Sequence, residues 1–293
     1  MIKNTVVTTW KNLFSVEKIS FIYALLTGLF AIIFGVKENN LTTMILYRVL
    51  FIFIMLTLAF SYQHKKTQLL WFIRNAFPLV LTIYWYPETY FMNESIFGNL
   101  DKYFVAADQA LFGCQPSIEF SKHYPQIWIN ELMNVGYISY YFIIAAAVLV
   151  TFWKNKKQME YTVFIILCSF FIHYLIFIIL PVVGPQFYFS SPENTIPCEG
   201  LFRETMTMLQ SMGEKPTGAF PSSHVGICLI CMYLVFKNSH KLFYLLIPIA
   251  LILICSTVYI KAHYLTDVIG GFISAPLCFW ISKKLFNLQS TTC

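Results

Sequence analysis

Two short segments carry residue types suited to acid–base and nucleophilic chemistry. In Lys261-Ala262-His263-Tyr264-Leu265-Thr266-Asp267, a histidine and an aspartate stand four residues apart, a spacing that puts both on one face of a helix. The carboxylate can then accept a hydrogen bond from one imidazole nitrogen, hold the other as a nucleophile or base, and stabilise the imidazolium formed after attack. In Gly218-Ala219-Phe220-Pro221-Ser222-Ser223-His224-Val225-Gly226 the order is that of a helix start. Pro221 comes first, then Ser222 or Ser223 to cap free amides. Such an end offers donors and a positive dipole to a phosphate, and His224 in the first turn is placed to protonate a leaving oxygen. A phosphoryl group in flight also needs cations. Lys261, beside His263, is the first candidate, and Arg203 and Lys215 in the preceding loop are the next. No metal and no cofactor is needed for this chemistry. Taken singly, each segment also has a plainer reading: a His–Asp pair that packs helices, and a serine cap with an interfacial histidine.

The elements that must position these residues follow from composition. Of 293 residues, 58% are hydrophobic and 12% charged, against roughly 25% charged in a soluble domain. Too few charges remain to cover a water-exposed surface, and the apolar residues fall in blocks near the ~20 residues that cross a bilayer. About eight spans are expected, at 19–36, 44–62, 69–86, 133–153, 161–180, 222–236, 242–259 and 264–281. The third holds Arg74, expected to snorkel to the interface, and Pro78, absorbed as a kink. The expected fold is an all-α polytopic bundle in a single membrane domain, 1–293. Residues 1–130 supply N-terminal spans and an outer loop, and 131–293 the catalytic helix bundle. No small-residue cleavage site precedes the first block, so that span is expected to act as its own insertion signal.

Basic residues set the direction. Lys3, Lys11 and Lys18, then Lys65 and Lys66, Lys154, Lys156 and Lys157, Lys237 and Lys241, and Lys283 and Lys284 all fall on one side of an eight-span chain. The positive-inside rule makes that side, with both termini, cytoplasmic. Orientation in the bilayer explains the basic excess better than nucleic acid does. Two net-acidic segments, 87–130 and 181–221, face the other side, and so do His224, His263 and Asp267. The frequent Lys, Asn, Ile and Phe suit a bacterial inner membrane.

These segments resemble the type 2 phosphatidic acid phosphatase superfamily, whose soluble relatives are the vanadium haloperoxidases. Pro221-Ser222-Ser223-His224 stands against the family's Pro-Ser-Gly-His. Ser256, His263 and Asp267 stand against its Ser-Arg-x5-His-x3-Asp. The resemblance implies that His263 attacks phosphorus to form a phosphohistidine, that Asp267 orients it, and that His224 protonates the leaving group. Two departures matter. The family's arginine is Thr257 here, and its Lys-x6-Arg-Pro motif is missing from the loop Leu180-Pro181-Val182-Val183-Gly184-Pro185-Gln186, where the uncharged Gln186 joins the candidate phosphate-binding set of Lys261, Ser222, Ser223 and Arg203. Such changes resemble the branch of aureobasidin-sensitive inositol phosphorylceramide synthases. That likeness implies transfer of a phospho-headgroup from a phospholipid to a lipid alcohol, with those lipids and the bilayer as partners. Dephosphorylation of a lipid phosphate or polyprenyl pyrophosphate is the close alternative. A proton-coupled transporter would spread titratable groups through the bilayer depth, and here they gather at one face. A catalytically dead scaffold stays open.

Other features have mostly plain readings. Cys228 and Cys231 sit inside an apolar helix without a second ligand pair, so packing is expected. Cys114 and Cys198 fall in the outer loops and can pair in an oxidising compartment. His173 is expected as a hydrogen-bonded core residue. Tyr84, Trp85, Tyr86 and Tyr90 read as an interfacial belt. Glu131 and Asn134 read as a helix-packing polar pair, or as binders of a polyol headgroup.

Overall fold

A computed structural model describes residues 10–34, 36–93, 95–196 and 200–291. The described residues form helices and turns, without strands: α1 Ser15–Ile33, α2 Glu38–His64, α3 Gln68–Val80, α4 Thr82–Glu88, α5 Asp101–Phe112, α6 Pro116–His123, α7 Ile127–Phe152, α8 Lys156–Ile179, the single turn α9 Pro185–Tyr188, α10 Leu201–Gly213, α11 Ser223–Asn238, α12 His240–Tyr259 and α13 Leu265–Thr291. The chain is a polytopic helix bundle. Apolar side chains such as Leu25, Leu29, Phe53, Phe142, Leu251 and Ile273 stand exposed around it, as a lipid-facing surface requires.

Among the described residues, six helices, α1, α2, α7, α8, α12 and α13, are long and apolar enough to cross a membrane. The other two expected spans are helical but shorter. α11 has 16 residues, about 24 Å at ~1.5 Å per residue, less than the ~30 Å hydrocarbon core. The segment expected at 69–86 is divided at Leu81 into α3 and α4. Pro78, which has no N–H to give to the carbonyl four residues back, lies just before the break. The pair still runs from one end of the bundle to the other. Lys156, at the head of α8, lies over the Trp71 ring, while the Tyr86 hydroxyl donates to the Thr217 carbonyl just before α11.

α8 is the axis. Beyond its polar first turn it is apolar on all sides and mostly buried, the signature of a helix enclosed by others. α7, α11, α13, α1 and α3 pack around it. His173 sits on this axis with Nδ1 bonded to the Ser169 carbonyl at 2.8 Å and Nε2 to Ser274 Oγ at 3.1 Å, a core histidine as expected. Cys228 and Cys231 are buried among the same packed residues.

Two N-terminal expectations change. Arg74 does not snorkel. It is buried, its Nε donates to Glu17 Oε1 at 2.7 Å, and its guanidinium lies 3.7 Å from the centre of the Phe14 ring. A partner carboxylate within the bundle removes the reason to reach for water. Trp85 is likewise no belt residue. It is buried against Tyr23 and Phe51 with Arg48 over its ring, and Arg48 in turn pairs with Glu88. The pairing considered for Cys114 and Cys198 lies outside the described residues, because Cys198 does.

Candidate active site

The two long outer segments are not open loops. They fold into α5 and α6 before α7, and α9 and α10 before α11, and cap the end of the bundle where α11 and α13 begin. Ser222 caps α11, its Oγ accepting from the Val225 amide. Its own amide donates to the Asp267 carbonyl at 3.0 Å, which joins the heads of α11 and α13. Gly271 permits that approach, since a Cβ there would sit 2.7 Å from Val225 Cβ and 2.8 Å from the Ser222 carbonyl oxygen. Segments 39 residues apart are thereby joined, and His224 Nδ1 comes to 3.3 Å from His263 Nε2.

Each ring is held. His263 Nδ1 is 2.8 Å from the Ala219 carbonyl oxygen. A carbonyl only accepts, so Nδ1 carries the proton and the Nε2 lone pair points at His224. Asp267 does not take this bond as expected, its Oδ2 lying 3.6 Å from Nδ1. Oδ2 instead accepts from the Tyr264 amide at 2.8 Å, and Oδ1 is buried without a hydrogen-bond partner among the described residues. Asp267 therefore closes the turn that carries His263. Burial lowers the His263 pKa to about 4, against the opposing pull of the Ala219 bond and of Glu214. At neutral pH the ring is uncharged. His224 lies between the Tyr137 and Tyr140 rings, each centred 4.5 Å away.

A family model described as the PAP2 superfamily matches residues 102–281, more than half of the chain and the whole of this arrangement. The chain belongs to the PAP2 superfamily. Comparison with curated proteins and with solved structures gave no match. Members of the PAP2 superfamily are phosphatases and phosphotransferases, so the histidine pair belongs to an enzyme family of phosphate chemistry. The match begins within α5, and the site depends on that helix, which lies N-terminal to the division at 130.

α5 supplies two carboxylates that sequence reasoning counted only as loop charge. Asp101 Oδ1 accepts from the Gly184 amide and the Tyr264 hydroxyl, both at 2.9 Å, and Oδ2 from the Val183 amide at 2.8 Å. Asp108 accepts the Leu265 and Thr266 amides at 3.0 and 2.9 Å, neutralising free donors at the head of α13. Their spacing of seven residues is a one-face signal on a helix, visible once 101–112 is read as helix. The loop that lacks the PAP2 Lys-x6-Arg-Pro motif is a structural strap here. Gly184, at φ 91°, passes so close to Ala262 that a Cβ would be 2.7 Å from its carbonyl oxygen.

The expected phosphate-binding set does not assemble around the pair. The Lys261 ammonium is buried and donates to the Ser117 carbonyl at 3.1 Å and Ser121 Oγ at 2.8 Å on α6, with burial lowering its pKa to about 8. The left-handed backbone at Lys261 (φ 66°) leads the side chain to α6. Thr257, in the place of the PAP2 arginine, bonds its hydroxyl back to the Ile254 carbonyl and accepts the His263 amide on its own carbonyl. Arg203 begins α10, where its amide and that of Phe202 donate to Glu131, and its side chain lines a separate polar hollow with Asn194 and Glu204. Glu131 is thus a helix cap, and Asn134 bonds to Asn130. Gln186 turns to Glu214, donating at 2.7 Å. Glu214, also bonded to Gln210 and the Tyr137 hydroxyl, was missed by the sequence reading. Burial raises its carboxyl pKa. Of the expected set, Ser222 and Ser223 at the head of α11 stand next to the histidines.

Proposed function

We propose that this protein is an integral membrane lipid phosphotransferase that works through a phosphohistidine. The observation that carries this reading is the His263 ring, fixed with Nδ1–H on a carbonyl and the Nε2 lone pair facing His224. With the phosphate seated, His224 enters as an imidazolium: Nε2 attacks phosphorus, the bond from phosphorus to the leaving oxygen breaks, and His224 gives that oxygen a proton and is left neutral. An acceptor hydroxyl then returns a proton to His224 as its oxygen attacks phosphorus and releases His263. A phosphoryl group must separate the two rings to react, because 3.3 Å leaves no room between them. The head of α11 provides amide donors for its oxygens.

The reading extends to moving a phospho-headgroup, such as inositol phosphate, from a phospholipid to a ceramide-like alcohol. Support comes from Thr257 in place of arginine, from the missing Lys-x6-Arg-Pro motif, and from the burial of His263, which limits access of water. Hydrolysis of a lipid phosphate or polyprenyl pyrophosphate uses the same pair, with water as acceptor. The basic clusters at the opposite end of the bundle favour an extracytoplasmic site with cytoplasmic termini.

The test is the protein in liposomes with phosphate-labelled phosphatidylinositol, with and without ceramide. Label moving to ceramide, and not moving in His263→Ala, is the expected result. Water-soluble labelled inositol phosphate released without acceptor would make the protein a hydrolase of the same bond. Labelled transfer persisting in His263→Ala would remove the phosphohistidine.

A further inference from the structure

A cleft of about 430 Å³ opens between α3–α4 and α7, and His224, Ser223, Gln210 and Glu214 stand at one end of it. Beyond that polar end its lining is apolar, including Leu79 and Ile83 on one wall, Ile144 and Val148 on the other, and Phe170 on the floor. The floor is closed and the rim is open to the side. Tyr140 and Tyr174 are 5% and 3% exposed, whereas Val80 and Ile83 are 60% and 63% exposed. Along α7 the lining runs from Tyr137 to Leu149, about 18 Å at ~1.5 Å per residue. That is close to one leaflet of a ~30 Å hydrocarbon core. The far end is closed where the Phe72 and Phe152 rings meet edge to face at 5.3 Å.

We infer that this cleft receives one hydrocarbon chain of the substrate lipid sideways from the bilayer, with the phosphate-bearing end at His224 and His263. An open rim within the apolar belt, a polar head at the reacting pair and a one-leaflet depth fit a single lipid chain. The wall made by α3 and α4 lies outside the 102–281 family match, so this chain-binding wall belongs to the N-terminal helices. Phe72 then sets how long a chain fits. The inference rests on the proposed lipid chemistry.

Ala76 and Ala145 face the cleft from opposite walls, and neither touches the histidines. The full chain, its Ala145→Phe and Ala76→Phe variants, and Phe72→Ala are reconstituted with ceramide and labelled phosphatidylinositol of long or short acyl chains. The Phe variants should lose about tenfold in kcat/KM for the long-chain donor, carried by KM, and keep their rate on the short-chain donor. Phe72→Ala should shift preference toward longer chains. Equal losses on both donors, or none on either, would overturn the inference. A second readout needs no turnover: a phospholipid with a photoactivatable acyl chain should label peptides spanning 69–86 and 133–153, and Ala145→Phe should suppress that labelling. Labelling elsewhere, or unchanged in a variant with wild-type thermal stability, refutes the cleft. Labelling as expected without turnover of any donor would fault the proposed reaction instead.

Discussion

The N-terminal helices and the C-terminal bundle both bury ionisable groups, and they treat them differently. In α1–α4, Glu17 is matched to Arg74 and Glu88 to Arg48, with Thr27 and backbone carbonyls accepting further bonds and the Tyr84 hydroxyl donating to Glu88. Around α11–α13, His263 faces His224, and Asp267 keeps one buried oxygen without a partner among the described residues. Fully paired buried charge stitches helices together, because breaking it strands an ion in a low-dielectric interior. Incompletely paired groups gathered at one place keep capacity for a reaction. The state of the partners separates these cases.

That contrast is breakable. The largest effect is expected from His263→Ala, which should cut turnover about 10⁴-fold or more while the thermal unfolding temperature holds; a loss of fold instead would class His263 with the stitching residues. The reverse is expected in the N-terminal region. Arg74→Met should cost roughly 3–5 kcal/mol by leaving Glu17 unpaired, and adding Glu17→Leu should restore most of it. Chemical unfolding in detergent reads both, and activity per folded molecule should stay unchanged.

Acid should then act through the site. The folded His263 binds its proton only near pH 4, the unfolded one near ~6.5. The unfolded state therefore takes up more protons between those values, and stability falls as pH drops through that window. The loss from this group is on the order of 3 kcal/mol, and His263→Gln should be less acid-sensitive than the parent by that amount. The smallest effect is expected at the supporting carboxylate. Asp101→Asn should cost about 1–3 kcal/mol, because an amide nitrogen would meet amide and hydroxyl donors. Its mark is a kcat loss with KM little changed, as His263 shifts with Tyr264.

Local chemistry made part of the site legible. Ser222 caps α11 because a proline and a serine ahead of an apolar run specify a helix start wherever they occur. Asp101, Asp108 and Glu214 carried no comparable signal, since their partners lie at distant positions such as Gly184, Leu265 and Gln186. Lys261 misled for the same reason: nearness to His263 along the chain says nothing of where a long side chain turns when its own backbone is left-handed. Arg74 misled because its partner, Glu17, lies on another helix.

Sequence by itself determined that the chain builds an apolar helix bundle and which segments carry its histidines, because hydrophobic blocks and helix starts depend on neighbours along the chain. Only the tertiary structure decided that Ala219 rather than Asp267 holds the His263 proton, that Lys261 leaves for α6, and that α3–α4 and α7 enclose a cleft ending at His224. Those outcomes depend on which helices touch and at what distance, and a gap of a few tenths of an ångström between a carboxylate and an imidazole is set by packing across the whole bundle.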